Sequence, residues 1–360
     1  MLQYREMKTS QQTHRQYLYE CEILEGLAPS AINEITRRFK SKARLLPARK
    51  DNLLHLNYSG SIKDLLSLRS VVAVHTLQHF NIPRPKALLG HQHLSSMLAV
   101  TTNILEVHPN KSFRTFTFNA AGRDSSVFNR LKEEIQAHTK LAYQDEEADL
   151  QLRFRPSLLN PSGWDVLTRI SPRPLSARSW RVFDIEGALN ANVAAAMIDL
   201  TQPAPQDRFL NLMAGSGTLL IERLLRGGVK TAVGCENDLS IMAGANRNIA
   251  AANLTRRPVI VPCDAARLPF AAKSFDVICA DLPWGQLVGS IQENQTLYPS
   301  TMAEAARIAG QGARLAVVSH NIRLMEKMIQ EFSRTWELTK EIKIQQGGLH
   351  PRIYIFKHRG

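Results

Sequence analysis

From residue 188 onward the chain alternates helical and extended segments with a regularity that admits few architectures. Residues 188–200 are rich in alanine and helical in pattern. Short apolar runs follow at 208–212, 231–235, 258–263, 275–280 and 313–320, separated by stretches of helical character. Strand and helix in strict turn build a parallel sheet covered by helices on both faces, the doubly wound α/β fold. The tail departs from the pattern. Residues 336–345 and 352–358 are both extended and are joined by Gln346-Gly347-Gly348-Leu349-His350-Pro351, which predicts an antiparallel hairpin at the sheet's edge.

The preceding residues read as two smaller α+β units. Residues 17–24 alternate, 31–39 carry Ile32, Ile35 and Phe39 at helical spacing, and 43–47 and 52–58 are extended. A helical stretch at 61–68, with Ser61 as its cap, and a strand at 71–74 complete a βαββαβ order, which is ferredoxin-like. Asn81-Ile82-Pro83-Arg84-Pro85 breaks any regular element and marks a linker. A helix at 97–105, a strand at 112–118, a helix at 126–139 and strands at 149–154 and 164–170 follow, closed by Pro172 and Pro174. The expected division is a polar tail at 1–16, a ferredoxin-like domain at 17–85, a second α+β domain at 86–172 and the doubly wound domain at 173–360.

Charge narrows the partner. The formal net charge is +13, and the surplus belongs mainly to the first half, where residues 1–180 carry 25 Lys and Arg against 16 Asp and Glu, compared with 20 against 16 in the remainder. That favours an anionic partner. No apolar run approaches the roughly 20 residues that cross a bilayer, and the polar residues 1–16 lack the apolar centre of a secretory signal, so no membrane association and a cytoplasmic setting are expected. Cys21, Cys235, Cys263 and Cys279 show no paired spacing. Free buried thiols are therefore expected, with neither a disulfide framework nor a metal site.

The chemistry gathers at strand ends. The run 208–212 leads into Asn211-Leu212-Met213-Ala214-Gly215-Ser216-Gly217-Thr218, where glycines between strand and helix let a ligand approach the backbone. The third glycine of a dinucleotide fingerprint is replaced by Leu220, so this turn alone is weak evidence. The next run ends in Glu236-Asn237, an acid placed to accept from a ribose diol, and the third in Asp264-Ala265, placed to accept from an adenine amine. The fourth ends in Asp281-Leu282-Pro283-Trp284-Gly285. An acid, a main-chain carbonyl and an aromatic face suit the grip of a planar exocyclic amine. In this fold ligands collect at the carboxyl edge of the sheet, and all four features fall there.

These motifs resemble the class I S-adenosylmethionine-dependent methyltransferases that act on exocyclic amines through a D/N-P-P-Y/F/W tetrapeptide. More particularly, 174–181 (with Arg178, Trp180 and Arg181), 187–197, the loop Gly215-Ser216-Gly217-Thr218 with Ile221-Glu222, and Asp281-Leu282-Pro283-Trp284-Gly285 are similar to the THUMP-containing tRNA guanine-N2 methyltransferases, especially those acting on guanosine 6 of the acceptor stem. The resemblance implies a Rossmann-fold methyltransferase domain with an antiparallel C-terminal edge strand, preceded by ferredoxin-like and THUMP domains. It implies S-adenosylmethionine held by Asn211, Met213 to Thr218, Glu236, Asn237, Asp264, Ala265 and Asp281, with Asp281, Leu282, Pro283 and Trp284 gripping the base. tRNA is then the partner, held by the basic first half; a monomer is expected, and the sequence indicates no helper subunit without deciding whether one is needed. The RNA-binding-like domains argue against DNA. Two alternatives stay open: another guanosine in tRNA or rRNA, and an inactive RNA-binding module. Asn211 and Ala214 stand where the family often has Asp and Cys, and Leu282 where Pro is commoner. Asn211 accepts a hydrogen bond without bringing charge, whereas Leu282 supplies the same main-chain carbonyl.

Overall fold

The computed structural model describes residues 17–47, 50–158, 160, 162–285 and 290–360. The polar tail expected at 1–16 lies outside them. The first half runs β1 (Tyr17–Glu22), α1 (Ala28–Phe39), β2 (Ala43–Leu46), β3 (Leu53–Tyr58), α2 (Ile62–Leu65), β4 (Ala73–Phe80), α3 (His91–Glu106), β5 (Thr115–Asn119), α4 (Ser126–Thr139), β6 (Ala142–Tyr143), β7 (Leu150–Pro156) and β8 (Trp164–Arg169). The second half runs α5 (Ala191–Leu200), β9 (Arg208–Leu212), α6 (Thr218–Leu225), β10 (Thr231–Glu236), α7 (Leu239–Ala251), β11 (Val259–Pro262), β12 (Phe275–Asp281), α8 (Ile291–Ile308), β13 (Ala309–Ser319), α9 (Ile322–Glu331), β14 (Trp336–Lys343) and β15 (Arg352–His358).

The two units of the first half share one eight-stranded sheet, ordered β2-β3-β1-β4-β8-β7-β5-β6. Strand β4 joins them, pairing with β1 on one side and β8 on the other. The short strand expected at 71–74 is in fact this eight-residue strand, shifted toward the C-terminus. Its apolar alternation is obscured because His75 and Thr76 are buried polar residues. The helix expected at 61–68 is a single turn, with Ser61 Oγ accepting from Lys63 N as its cap.

The second half is a seven-stranded sheet, β11-β10-β9-β12-β13-β15-β14. From β11 to β13 every pairing is parallel, and β15 pairs antiparallel with both β13 and β14. The terminal hairpin is thus present, with β14 as the edge and β15 inserted beside β13. Period-2 alternation sends Phe209, Val277 and Ala316 to one face, with Val193 and Leu220 of α5 and α6. It sends Leu210, Ile278 and Leu315 to the other, with Tyr298 of α8 and Met328 of α9. Local signals set the helix starts. Asn190, Asp238 and Asn321 cap α5, α7 and α9, and Ser290 with Glu293 forms a capping box on α8.

The halves are joined by a buried polar contact. Glu222 on α6, 1% exposed, receives Arg69 Nη2 at 2.7 Å and Arg178 Nε at 2.9 Å. Asn192 Nδ2 donates to the carbonyls of Arg69 (2.6 Å) and Val71 (2.9 Å). Arg178 and Glu222, both within the motifs that carried the resemblance, therefore dock the first half on the second. Leu27, fully buried, adds its side chain to the core of the second half, a burial that contributes about 2 kcal/mol.

Candidate active site

Strand β9 leaves the sheet into a turn that reverses within five residues. Met213 (φ 52°), Gly215 (φ 53°) and Gly217 (φ 82°) all occupy the left-handed region. Glycine suits the last two because it takes that conformation without strain. Ala214 N donates to Cys235 O at 2.7 Å, tying the turn to β10. At the end of β10, the Glu236 carboxylate accepts from Gly215 N (2.8 Å), Asn237 N (3.0 Å) and Asp238 N (3.2 Å). It is 7% exposed and faces the turn.

Strand β12 delivers the tetrapeptide. Asp281 is in register with Val318, and Leu282 N donates to Val318 O at 3.2 Å. The Leu282 side chain is 1% exposed and belongs to the core under α8 and α9. Its carbonyl meets no donor among the described residues. The Pro283 carbonyl, in contrast, accepts from Asn294 Nδ2 (2.7 Å) and from the Tyr298 hydroxyl (2.8 Å), which also lies 2.8 Å from Ser319 Oγ. Trp284 packs against His320, ring centroids 5.7 Å apart. Burial pushes the Asp281 carboxyl up to about 7, and a hydrogen bond from the Trp284 side chain opposes that rise.

These features line one cavity of about 490 Å³. Met213, Ala214, Gly215 and Ser216 form one part of its wall, Glu236, Asn237, Asp264 and Ala265 another, and Asp281, Leu282, Pro283 and Trp284 a third. Three sequence-derived site residues do not line it. Asn211 is 1% exposed, its Nδ2 donating to Leu212 O (2.9 Å) and Cys279 O (3.3 Å), while its Oδ1 has no partner among the described residues. Gly217 is the N-cap of α6, and Thr218 Oγ1 receives Arg181 Nη2 at 3.0 Å.

Sequence reasoning missed the segment 185–189, which also lines the cavity, and the residue that holds it. Asn248 on α7 is fully buried. Its Oδ1 accepts from Val182 N (2.9 Å) and Phe183 N (2.8 Å), and its Nδ2 donates to Phe183 O (2.8 Å) and Ser216 O (2.9 Å). One side chain thus fastens the approach to 185–189 onto the glycine turn. Cys235 and Cys263, expected as separate thiols, are joined in a disulfide at the cavity wall. Pairing of β10 with β11 brings their Cα atoms to 5.5 Å, a proximity invisible in a sequence separation of 28. Cys21 and Cys279 are free and buried. Among the described residues no three His, Cys, Asp or Glu side chains lie where they could hold a metal ion, and no helix is long and apolar enough to cross a membrane.

A doubly wound sheet with a glycine turn, strand-end acids and the Asp281 tetrapeptide at one edge defines a class I methyltransferase fold. Residues 178–352 match the family model of the UPF0020, RMKL-like methyltransferase domain. The relatives are those to which the motifs pointed. The mouse (Mus musculus) tRNA (guanine(6)-N(2))-methyltransferase THUMP3 is 27% identical over 183 residues, 47% of this chain and 36% of its own length. The tRNA (guanine(6)-N2)-methyltransferase of Methanocaldococcus jannaschii is 23% identical over 217 residues, 50% of this chain and 56% of its own length. The chain thus matches between about a third and just over half of these relatives. In fold it is similar to the crystal structure of TrmN from Thermus thermophilus, with a TM-score of 0.71 over 95% of this chain and 99% of that one, at 17% identity.

Proposed function

We propose that this protein transfers a methyl group from S-adenosylmethionine to the exocyclic N2 amine of a guanosine in tRNA, guanosine 6 of the acceptor stem. The observation that carries this is the shared cavity. Asp281 and Trp284 line it together with the glycine turn and Glu236. The names of the mouse and archaeal relatives support the choice of guanine N2 and of position 6.

The donor set fits the cofactor. Glu236 is a carboxylate acceptor for a ribose diol, and the exposed Asp264 is an acceptor for an adenine amine. When bound, S-adenosylmethionine supplies an electrophilic methyl group. The residues of the chain do the rest. Guanine's N2 lone pair is delocalised into the ring, and the nitrogen is a poor nucleophile while it remains planar. Its two N–H groups donate to the Asp281 carboxylate and the Leu282 carbonyl, which favours a pyramidal nitrogen. As positive charge develops on that nitrogen its proton becomes acidic, and Asp281 stabilises the charge and accepts the proton. The Trp284 face stacks on the base, a contact worth roughly 1–3 kcal/mol in single-strand systems. A paired guanine reaches the cavity only after flipping or local opening of the stem. The basic first half holds the RNA backbone.

The decisive experiment is incubation of purified protein with tRNA and labelled cofactor, followed by nucleoside mass spectrometry and digestion mapping. N2-methylguanosine at position 6 is expected. A methylated adenine, or incorporation into duplex DNA alone, overturns the reading, and absence of cofactor binding by calorimetry favours the inactive RNA-binding module.

A further inference from the structure

We propose that the turn at Glu25 and Gly26 in the first half is a positioning element for the base side of the cavity, so that the first half acts in methyl transfer as well as in RNA capture. The inference rests on the functional reading above. Gly26 has φ 91°, and a Cβ placed there would lie 2.0 Å from the Lys343 carbonyl oxygen and 3.2 Å from Ile344 Cα. Only glycine brings the first half this near to the end of β14. Beside it, Gln345 N donates to Glu25 O at 3.2 Å, and Leu27 and Ile344, both buried, share one apolar cluster.

From that contact a short run of hydrogen bonds leads to the cavity. Ile344 N donates to Pro351 O at 3.0 Å. Gln346 N donates to Leu349 O at 3.0 Å and Leu349 N to Gln346 O at 2.9 Å, closing a two-residue turn over Gly347 (φ 57°) and Gly348 (φ 80°). Both central residues have positive φ, the tight hairpin geometry that fixes the register of the returning strand. Leu349 then lines the cavity with Asp281 and Trp284. His350, the next residue, lines a cleft with Gly26 and Lys50 of the first half. Adjacent residues of one turn therefore face the reaction cavity and the junction between the halves. Movement of the Gly26 contact shifts the Leu349 wall through this bonded path, whereas the glycine turn and Glu236 are held separately by β10 and Asn248.

The test compares Gly26→Ala, Leu349→Ala and the double variant in single-turnover methyl transfer to tRNA at saturating cofactor. Gly26→Ala is expected to lose at least tenfold in the rate at saturating tRNA, with KM for tRNA within threefold and cofactor affinity within twofold of wild type. The double variant is expected to be no slower than the slower single variant. A raised KM with an unchanged saturating rate, or effects that multiply in the double variant, would overturn the proposal by reducing the contact to docking. Amide exchange at Gln346 and Leu349 reads the same device without activity: faster exchange in Gly26→Ala supports it, and unchanged exchange overturns it. If the wild-type protein transfers no methyl group to RNA, the functional reading fails while exchange still decides the mechanical one. Should Gly26→Ala not fold, Leu27→Ala loosens the same contact and carries the same expectations.

Discussion

Glu20 of the first-half sheet and the cavity acids of the second-half sheet are placed in opposite ways. In the first-half sheet, Glu20 lies within β1 and is fully buried. His55 Nε2 is 2.9 Å from its carboxylate and Arg155 Nη1 donates to it at 3.0 Å. In the second-half sheet the acids Glu236, Asp264 and Asp281 fall at or beyond strand ends, around a cavity. The shifts differ accordingly. Burial alone would raise Glu20, but hydrogen bonds from His55 and Arg155 overcome it and hold the group at about 2. Asp281 has the burial without a cationic partner among the described residues and stands at about 7. An acid paired with cations within a strand stabilises the fold; an acid at a strand end without such a pairing is available to a substrate.

The largest effect that tests this contrast is Asp281→Ala. Transfer is expected to fall by at least about a thousandfold, comparable with loss of a charge-stabilising group in other enzymes, while tRNA affinity stays within a few-fold. Filter binding and single-turnover assays measure the two separately. In the wild-type protein kcat/KM should rise with pH through about 7 as Asp281 ionises, and this limb should vanish in Asp281→Asn. Stability moves the other way. A carboxyl raised in the folded state contributes stability fully present below its unfolded value near 3.8 and lost as pH rises through about 7. Asp281→Asn should therefore be more stable than wild type at pH 8, by about 1–2 kcal/mol after allowance for solvent access through the cavity.

Glu20→Gln should show the reverse profile. Removing one partner of a buried ion pair costs about 3–5 kcal/mol. Glu20 stabilises the fold above its unfolded value of 4.5, and that contribution disappears as pH falls through about 2. Denaturant melts at pH 7 and pH 3 check both points. Transfer by the folded fraction should be unchanged, and a selective loss of activity would break the division between structural and functional acids.

The same division explains what the sequence could reveal. The bounds of β9, α4 and β15 are legible because alternation, helical spacing and turn residues are local signals. The cavity acids are legible because a parallel sheet carries its ligands at one edge. Strand β4 is harder to delimit because its register depends on β1 and β8 and part of its buried face is polar. Asn211 enters as a cofactor ligand only through the family resemblance, and the hydrogen bond from its Nδ2 to Cys279 O of β12 could not be read from its place in the sequence. Asn248 gives no signal at all. Its four hydrogen bonds go to residues at least 32 positions away, and only the assembled fold brings them together.

A smaller effect is expected where the second-half site is braced. Tyr298→Phe removes the hydroxyl that donates to Pro283 O and meets Ser319 Oγ, leaving Asn294 to hold the carbonyl. Loss of a neutral hydrogen bond costs about 1 kcal/mol. If most of that is expressed in the placement of Asp281 and Leu282, transfer falls about fivefold with KM unchanged. An effect as large as that of Asp281→Ala would make the brace, and not the acid, the centre of the site.

The smallest individual effects belong to the surface of the first half. Several of its arginines are already committed: Arg155 to Glu20, Arg153 to Glu22, and Arg69 to Glu222. Lys40, Lys42 and Arg44, at the end of α1 and on the edge strand β2, are exposed and better placed to meet phosphates. Removing one such cation from a phosphate should lower the slope of log affinity against log salt by about 0.7–0.9. Replacing all three by alanine should therefore weaken tRNA binding several-fold at moderate salt and flatten the salt dependence by about 2, with methyl transfer at saturating RNA unaffected. Titrations across a range of salt concentrations measure the slope directly. An unchanged slope moves the RNA surface to another face of the sheet, and a slope change accompanied by a lower saturating rate would tie this edge to the Gly26 contact instead of to capture alone.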